Sequence, residues 1–287
     1  MAVELWQTQL AFAIGILGVY AGWRGTISRM TGFYDLAGAV RYLVYGLVSG
    51  MLLAICVDRI ILSSVILAYL NIFTASLFAI LIGAAEAALV MFLLARPRVA
   101  SLKASPPFGW ALGLGIGSMQ ASYLIYRLFD EQLQYSGYSG TNVVSVTLAL
   151  IIAVTSCIGH ALPACWQGAK VLESSRARPF VISAVARGFL TMCLVLALFA
   201  PLMVLVAAPA IALAWRPAQS SWLPAGMTPA AKQAFRRTKR QSERHRRASE
   251  QRLRGEAIDS EEGRDYTHFG LLASFRHGIG AVLYPAR

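Results

Sequence analysis

Six stretches of mostly apolar residues, each long enough to cross a lipid bilayer as a helix, constrain this chain more than any other feature. Backbone groups inside lipid have no water to bond to, so a span of about 20 apolar residues must be helical. The chain is 57% apolar and 14% charged, whereas a soluble domain carries about 25% charged residues. We therefore predict an all-α fold, a polytopic membrane helical bundle of about six to seven transmembrane helices with a basic C-terminal helical tail. The six stretches are 5–23, 37–57, 72–95, 108–129, 143–166 and 181–215.

The distribution of charge divides the chain at Trp215. Residues 1–215 carry 12 Lys/Arg and 7 Asp/Glu, a net charge of +5, and residues 216–287 carry 14 Lys/Arg and 7 Asp/Glu, a net charge of +7 in a much shorter segment. This change in composition predicts two regions. They are a transmembrane helical domain over 1–215 and a basic soluble tail over 216–287.

Within the tail, Thr228 and Pro229 are a typical helix start and predict a solvated helix over about 228–255. Its basic residues are predicted to contact anionic lipid headgroups or, alternatively, only to hold the tail on the cytoplasmic side. Nucleic acid is a disfavoured partner because no aromatic residues for base stacking alternate with the basic ones. The apolar segment 269–284 is expected to lie at an interface or to pack on the bundle. The predicted anionic-surface residues are Arg236, Arg237, Lys239, Arg240, Arg244, Arg246 and Arg247.

Basic residues in the short loops predict the orientation in the cell (cytoplasmic) membrane. Cytoplasmic loops carry an excess of Lys and Arg, and here one side has nine of them against Arg59 and Arg127 on the other. The N-terminus is therefore predicted outside. The nine residues are Arg24, Arg29, Arg96, Arg98, Lys103, Lys170, Arg176, Arg178 and Arg187.

The side of the tail depends on the 181–215 stretch, which at 35 residues is about 52 Å of helix and longer than one span needs. A hairpin turning near Pro201 returns the tail to the cytoplasm, which is the favoured alternative. A single tilted helix leaves the tail outside, since long tails translocate regardless of charge.

Three polar residues lie well inside predicted spans, and intramembrane polar residues are candidates for function. Glu86, Gln120 and His160 come from the third, fourth and fifth spans, and all fall in the same half of the bilayer at 1.5 Å per residue. They are expected to converge, either as metal ligands or as a neutral hydrogen-bond network in which a protonated Glu86 donates. In the neutral case Glu86→Gln is expected to change stability little. Arg187, at a span end, is interpreted as a snorkelling residue.

The segment 75–127, ASLFAILIGAAEAALVMFLLARPRVASLKASPPFGWALGLGIGSMQASYLIYR, resembles the YhfC-type branch of the PrsW-like intramembrane metalloproteases. That family has a small-residue helix with a Glu-Glu pair, then a Gly-rich helix with a His-x-x-x-Glu segment, and later a further His. By this resemblance Glu86 takes the place of the first glutamate, Gln120 of the later glutamate, and His160 of the last histidine. Ala87 and Ile116 replace the second glutamate and the first histidine.

The resemblance implies a membrane-embedded protease fold with a degraded metal site, in which the candidate catalytic residues are Glu86 and His160 and the candidate metal ligands are Glu86, Gln120 and His160. We predict a non-catalytic relative that binds a membrane partner or lipid and needs no cofactor. One alternative is an active intramembrane metalloprotease with zinc. The other is an accessory or structural subunit of a larger membrane complex.

Overall fold

A computed structural model describes residues 3–254, which are helical almost throughout and contain no strand. Several helices start where the side chains dictate. Asn71 and Asn142 accept hydrogen bonds from the backbone N–H groups of Thr74 and Ser145, each capping a helix. The helices are α1 Leu5–Arg24, α2 Leu36–Cys56, α3 Leu67–Tyr69, α4 Ile72–Leu94, α5 Pro97–Ser101, α6 Ser105–Phe129, α7 Val143–Leu172, α8 Ala177–Ala197, α9 Met203–Pro217 and α10 Pro229–Leu253.

Five helical stretches in the described region are long and apolar enough to cross a membrane: Leu5–Met30, Leu36–Tyr69, Ile72–Leu94, Val143–Leu172 and Ala177–Ala197. The described part of the chain is thus all-helical and of membrane-spanning character. The predicted total of six to seven spans stays a prediction.

Helix α6, the predicted span 108–129, lies at the centre of the bundle and packs against α1, α2 and α7. Of its 25 residues, 22 are buried. A helix surrounded by other helices needs small residues for close packing more than it needs large apolar ones. A Cβ at Gly113 would lie 2.5 Å from both Ala161 Cα and His160 O. The glycine therefore lets α6 and α7 meet backbone to backbone beside His160.

The second predicted span is longer than the sequence indicated. Instead of ending at residue 57, α2 continues as a π-helix over Val57–Ile66 and then as α3. The chain turns only at Leu70, which has a positive φ of 49°. Asp58 is therefore a buried residue within a helix, and the expectation that the helix ends at residue 57 was wrong.

The predicted 181–215 stretch is two helices, α8 and α9, separated by a turn at 198–202. At this turn Ser136 Oγ, in the loop between α6 and α7, donates to Leu198 O at 2.7 Å. Helix α9 then runs back to the opposite end of the bundle. There the Trp215 ring lies 5.9 Å from that of Trp110, and Trp222 lies 6.3 Å from Trp166. The hairpin alternative describes this path, and the tilted single helix does not.

The chain divides into two compact units between Thr228 and Pro229, later than the predicted boundary at Trp215. The first unit contains α1 to α9 and the helical turns that follow, Ala218–Trp222 and Leu223–Gly226.

The second unit begins with α10, which covers most of the predicted 228–255 helix. All seven residues of the predicted anionic surface are exposed, and Arg246 Nε pairs with Glu250 Oε1 at 3.4 Å. The apolar segment 269–284 lies outside the described residues.

Candidate functional site

Glu86 is the centre of a buried polar cluster that includes all three residues predicted to converge. His160 Nδ1 lies 2.9 Å from Glu86 Oε1, and Gln120 Nε2 donates to Glu86 Oε2 at 3.4 Å. Glu86 and His160 are 0% exposed and Gln120 is 2% exposed. The predicted convergence of these side chains is therefore confirmed.

A fourth member, Arg187, was missed by the sequence analysis. It lies inside α8, is 0% exposed, and places Nε 2.9 Å from Glu86 Oε1. The Nε–H bond is not directed at that oxygen, so the contact is an ion pair and not a well-formed hydrogen bond. The interpretation of Arg187 as a snorkelling loop residue was wrong, because its guanidinium points into the bundle. An oppositely charged Glu86 in the same half of the bilayer was the signal for this pairing.

Two glycines bring Arg187 within reach of Glu86. A Cβ at Gly83 in α4 would lie 2.5 Å from Ala184 O, and one at Gly188 in α8 would lie 2.7 Å from Ile80 Cα. Neither position has room for a side chain, so α4 and α8 cross at close range one turn from the ion pair. Small residues allow such crossings in membranes.

Gln167 completes the cluster from α7. Its Oε1 accepts from Arg187 Nη1 at 2.8 Å, and its Nε2 donates to Ala87 O at 3.1 Å. The backbone of Ala87, where the resemblance expects a second glutamate, thus takes part through its carbonyl oxygen. Four helices, α4, α6, α7 and α8, therefore meet at this cluster.

The partners of Glu86 determine its charge. Arginine keeps its proton in proteins, and a buried arginine needs an anion beside it. Glu86 is therefore ionised, and the expectation of a protonated, hydrogen-bond-donating Glu86 was wrong. Since a carboxylate only accepts, His160 Nδ1 carries the proton it donates. His160 Nε2 and Arg187 Nη2 have no partner among the described residues.

The cluster does not fit a zinc ion. A catalytic zinc takes three protein ligands and a water, whereas residues 3–254 contain no group of three His, Cys, Asp or Glu side chains that could hold a metal. Ile116 and the Ala87 side chain supply no donor atom. The positive charge that balances Glu86 already comes from Arg187, whose guanidinium would repel a cation.

A second, partly buried ion pair lies toward the other end of α6. Arg127 Nε and Nη2 donate to Asp58 Oδ1 and Oδ2 at 2.5 and 2.9 Å, and Nη2 also donates to Ser63 Oγ at 3.2 Å. A cavity of about 10 Å³ lies between this pair and Gln120, which is near the lower limit of the space that can hold one water. Sequence reasoning placed Asp58 and Arg127 at span ends and missed the pair.

Two larger grooves open on the outside of the bundle. The first, of about 730 Å³, is lined by α7, α8 and α9, and we call it the α9 groove. The second, of about 660 Å³, lies between the end of α4 and the start of α8 and includes Arg96 and Arg176, and we call it the arginine groove.

No protein-family model, curated protein or solved structure matches the chain.

Proposed function

We propose that this chain is a non-catalytic integral membrane protein that binds a transmembrane helix of another protein in the α9 groove. The observation that carries the proposal is a contrast between inside and outside. The polar cluster around Glu86 is closed to solvent, with the carboxylate in contact with three partners. The α9 groove, by comparison, is open and apolar.

The residues that line the α9 groove favour a helix as its occupant. Helices associate in lipid through close packing of small residues, because lipid provides no hydrophobic driving force between them. Ala207, Ala210 and Ala214 recur along α9 at spacings that place them on one face, and Gly159 and Ala186 line the groove from α7 and α8. Trp166 and Trp222 lie at one end of the groove, as aromatic residues do at membrane interfaces.

The protease alternative has less support. Hydrolysis needs a water and a base that substrate can reach, but the carboxylate of Glu86 is buried and paired with Arg187. The resemblance to the PrsW-like family rests on the sequence of residues 75–127 and on His160, so the degenerate-relative hypothesis remains part of this proposal on sequence grounds. The other alternative, an accessory or structural subunit of a larger membrane complex, differs in that its partner would be permanent.

The proposed orientation places the basic end of the bundle in the cytoplasm and the N-terminus outside. Of the nine basic residues assigned to the cytoplasmic side by the sequence, Arg187 lies in the interior and the other eight belong to that end. Helix α9 returns the chain to this same end, because Trp215 lies beside Gly25. The positive-inside tendency and the path of α9 therefore support a cytoplasmic tail.

Site-specific photocrosslinking in intact membranes tests the partner proposal. A photoreactive residue at position 210, inside the α9 groove, should give a protein adduct, and one at position 213, on the outer face of α9, should give lipid adducts only. Leu213 is 79% exposed, which makes it the matched control. The groove-filling variant Ala186→Phe should abolish the adduct at position 210 without lowering the thermal midpoint.

Peptide mapping of the adduct decides between the occupants. A crosslink within a transmembrane segment of a different protein supports the proposal. An adduct of twice the chain mass would show a second copy in the groove, and lipid adducts at both positions would show an acyl chain there. Either result overturns the proposal.

A further inference from the structure

We propose that the arginine groove binds one anionic phospholipid, with the headgroup between Arg96 and Arg176 and an acyl chain along Phe92 and Phe180. The groove holds about 660 Å³ between α4 and α8. It is independent of the α9 groove and of the partner proposed there.

The two arginines are free to bind an anion. Within residues 3–254, no carboxylate lies within ion-pair distance of Arg96 or Arg176, and the nearby Glu173 pairs with Lys170. The Arg96 guanidinium lies 5.5 Å from the centroid of the Phe92 ring, which holds it at the edge of the groove. Arginine binds phosphate through paired N–H donors, so two such groups suit a phosphodiester.

The rest of the groove is apolar and selects a lipid over a free phosphate. Ala88, Met91 and Phe92 line it from α4 and Phe180 from α8. These residues lie nearer to the middle of α4 and α8 than the arginines do. A hydrocarbon chain would lie there if the headgroup contacted Arg96 and Arg176. Inorganic phosphate would use the arginines and leave this apolar surface uncovered.

The position of the groove also favours an anionic phospholipid. Both arginines belong to the basic end of the bundle, and basic pockets between transmembrane helices commonly bind anionic headgroups. In the α9 groove, by contrast, none of the lining residues carries a charge. The arginine groove thus combines an apolar floor with two arginines that have no carboxylate partner within residues 3–254, and the α9 groove does not.

Native mass spectrometry of the purified full-length chain tests the proposal. The protein is reconstituted in phosphatidylcholine with increasing phosphatidylglycerol, and retained lipid is counted. We expect one phosphatidylglycerol to be retained, and Arg96→Gln/Arg176→Gln to weaken its binding by roughly tenfold or more, since two charge-assisted contacts are lost. The matched control, Arg24→Gln/Arg29→Gln, removes two exposed arginines from the same end and should retain the lipid.

A further variant and a competitor distinguish binding in the groove from other lipid or phosphate binding. Ala88→Phe, which fills the apolar floor, should reduce lipid retention while leaving the arginines in place. Equal loss in the Arg24/Arg29 control, equal retention of phosphatidylcholine, or full displacement of lipid by millimolar inorganic phosphate would each overturn the proposal. All variants should keep the thermal midpoint in pure phosphatidylcholine, since the substituted side chains are exposed.

Discussion

At the residue scale, the interior of this protein is organised by charge pairing. Glu86 and Arg187 are each expensive to bury alone, and together they form a pair 2.9 Å apart. His160, Gln120 and Gln167 supply further polar contacts to the two charged groups. Such a cluster favours this arrangement of the four helices, because separating them would leave both charges without a partner in the interior.

Neutralising one member of the ion pair should destabilise the protein. Glu86→Gln keeps the shape of the side chain but leaves the Arg187 charge unpaired in the interior, so we expect a loss of about 3–5 kcal/mol in the free energy of unfolding. Thermal unfolding in detergent measures this. The double variant Glu86→Leu/Arg187→Met removes both charges and should lose less than the single variant. A single variant as stable as the wild type would show that Glu86 is not ionised.

The sequence was sufficient to place Glu86, Gln120 and His160 together, because depth along a helix follows from counting residues. It was insufficient for Arg187. An arginine a few residues inside an apolar stretch is compatible with both snorkelling and burial, and the choice depends on which way α8 faces. Helix rotation is set by packing against neighbours. The Gly83 and Gly188 crossing that determines it joins residues far apart in the sequence.

At the element scale, close helix crossings position the polar cluster. The α4–α8 crossing at Gly83 and Gly188 brings Arg187 to Glu86, and the α6–α7 contact at Gly113 brings α6 against His160. These crossings depend on the absence of a side chain at single positions.

Adding a methyl group at the α4–α8 crossing should therefore loosen it. Alanine has a higher helix propensity than glycine by up to about 1 kcal/mol, but a Cβ at Gly188 would lie 2.7 Å from Ile80 Cα, and backbone cannot move aside easily. We expect Gly188→Ala to destabilise by about 1–3 kcal/mol, measured by thermal unfolding. Gly137→Ala is the control, because nothing lies within 4 Å of its Cβ. Equal stability of both variants would contradict a tight crossing.

The predicted starts at residues 72 and 143 match those of α4 and α7, which Asn71 and Asn142 cap, whereas α6 starts at Ser105 and not at the predicted residue 108. The predicted helix end at residue 57 was wrong, because the charged residues Asp58 and Arg59 are typical of a loop. Asp58 is tolerated within the continuing helix because Arg127 pairs with it. A charged residue in a helix cannot be told from a loop residue until its partner on another helix is known.

At the scale of the whole molecule, the path of the chain determines which segments share a membrane face. Helices α8 and α9 form a hairpin, so the segment after α9 lies at the same end as the loop between α4 and α6. The loop after α6 lies at the other end, where Ser136 contacts Leu198.

Cysteine labelling from the two sides of sealed vesicles checks this path. In a background without the native cysteines, Ser101→Cys and Ser221→Cys should react from one side and Gln134→Cys from the other. All three side chains are exposed and therefore accessible to a labelling reagent. Ser105, at the start of α6, is buried and donates to Leu94 O, so a cysteine at that position would be a poor labelling site. Labelling of Ser221→Cys together with Gln134→Cys would mean that the chain does not return through α9.

The enclosure of α6 has a consequence for how the protein is made. A polypeptide is synthesised from its N-terminus, so α6 leaves the ribosome before α7, the helix that covers its Gly113 and Gly117 face. During that interval the earlier helices α1, α2 and α4 are present but leave this face of α6 uncovered, and a helix with this many glycine and polar residues has little affinity for bare lipid. If α6 is a span, as the sequence predicts, we therefore expect it to insert together with α7 and not before it.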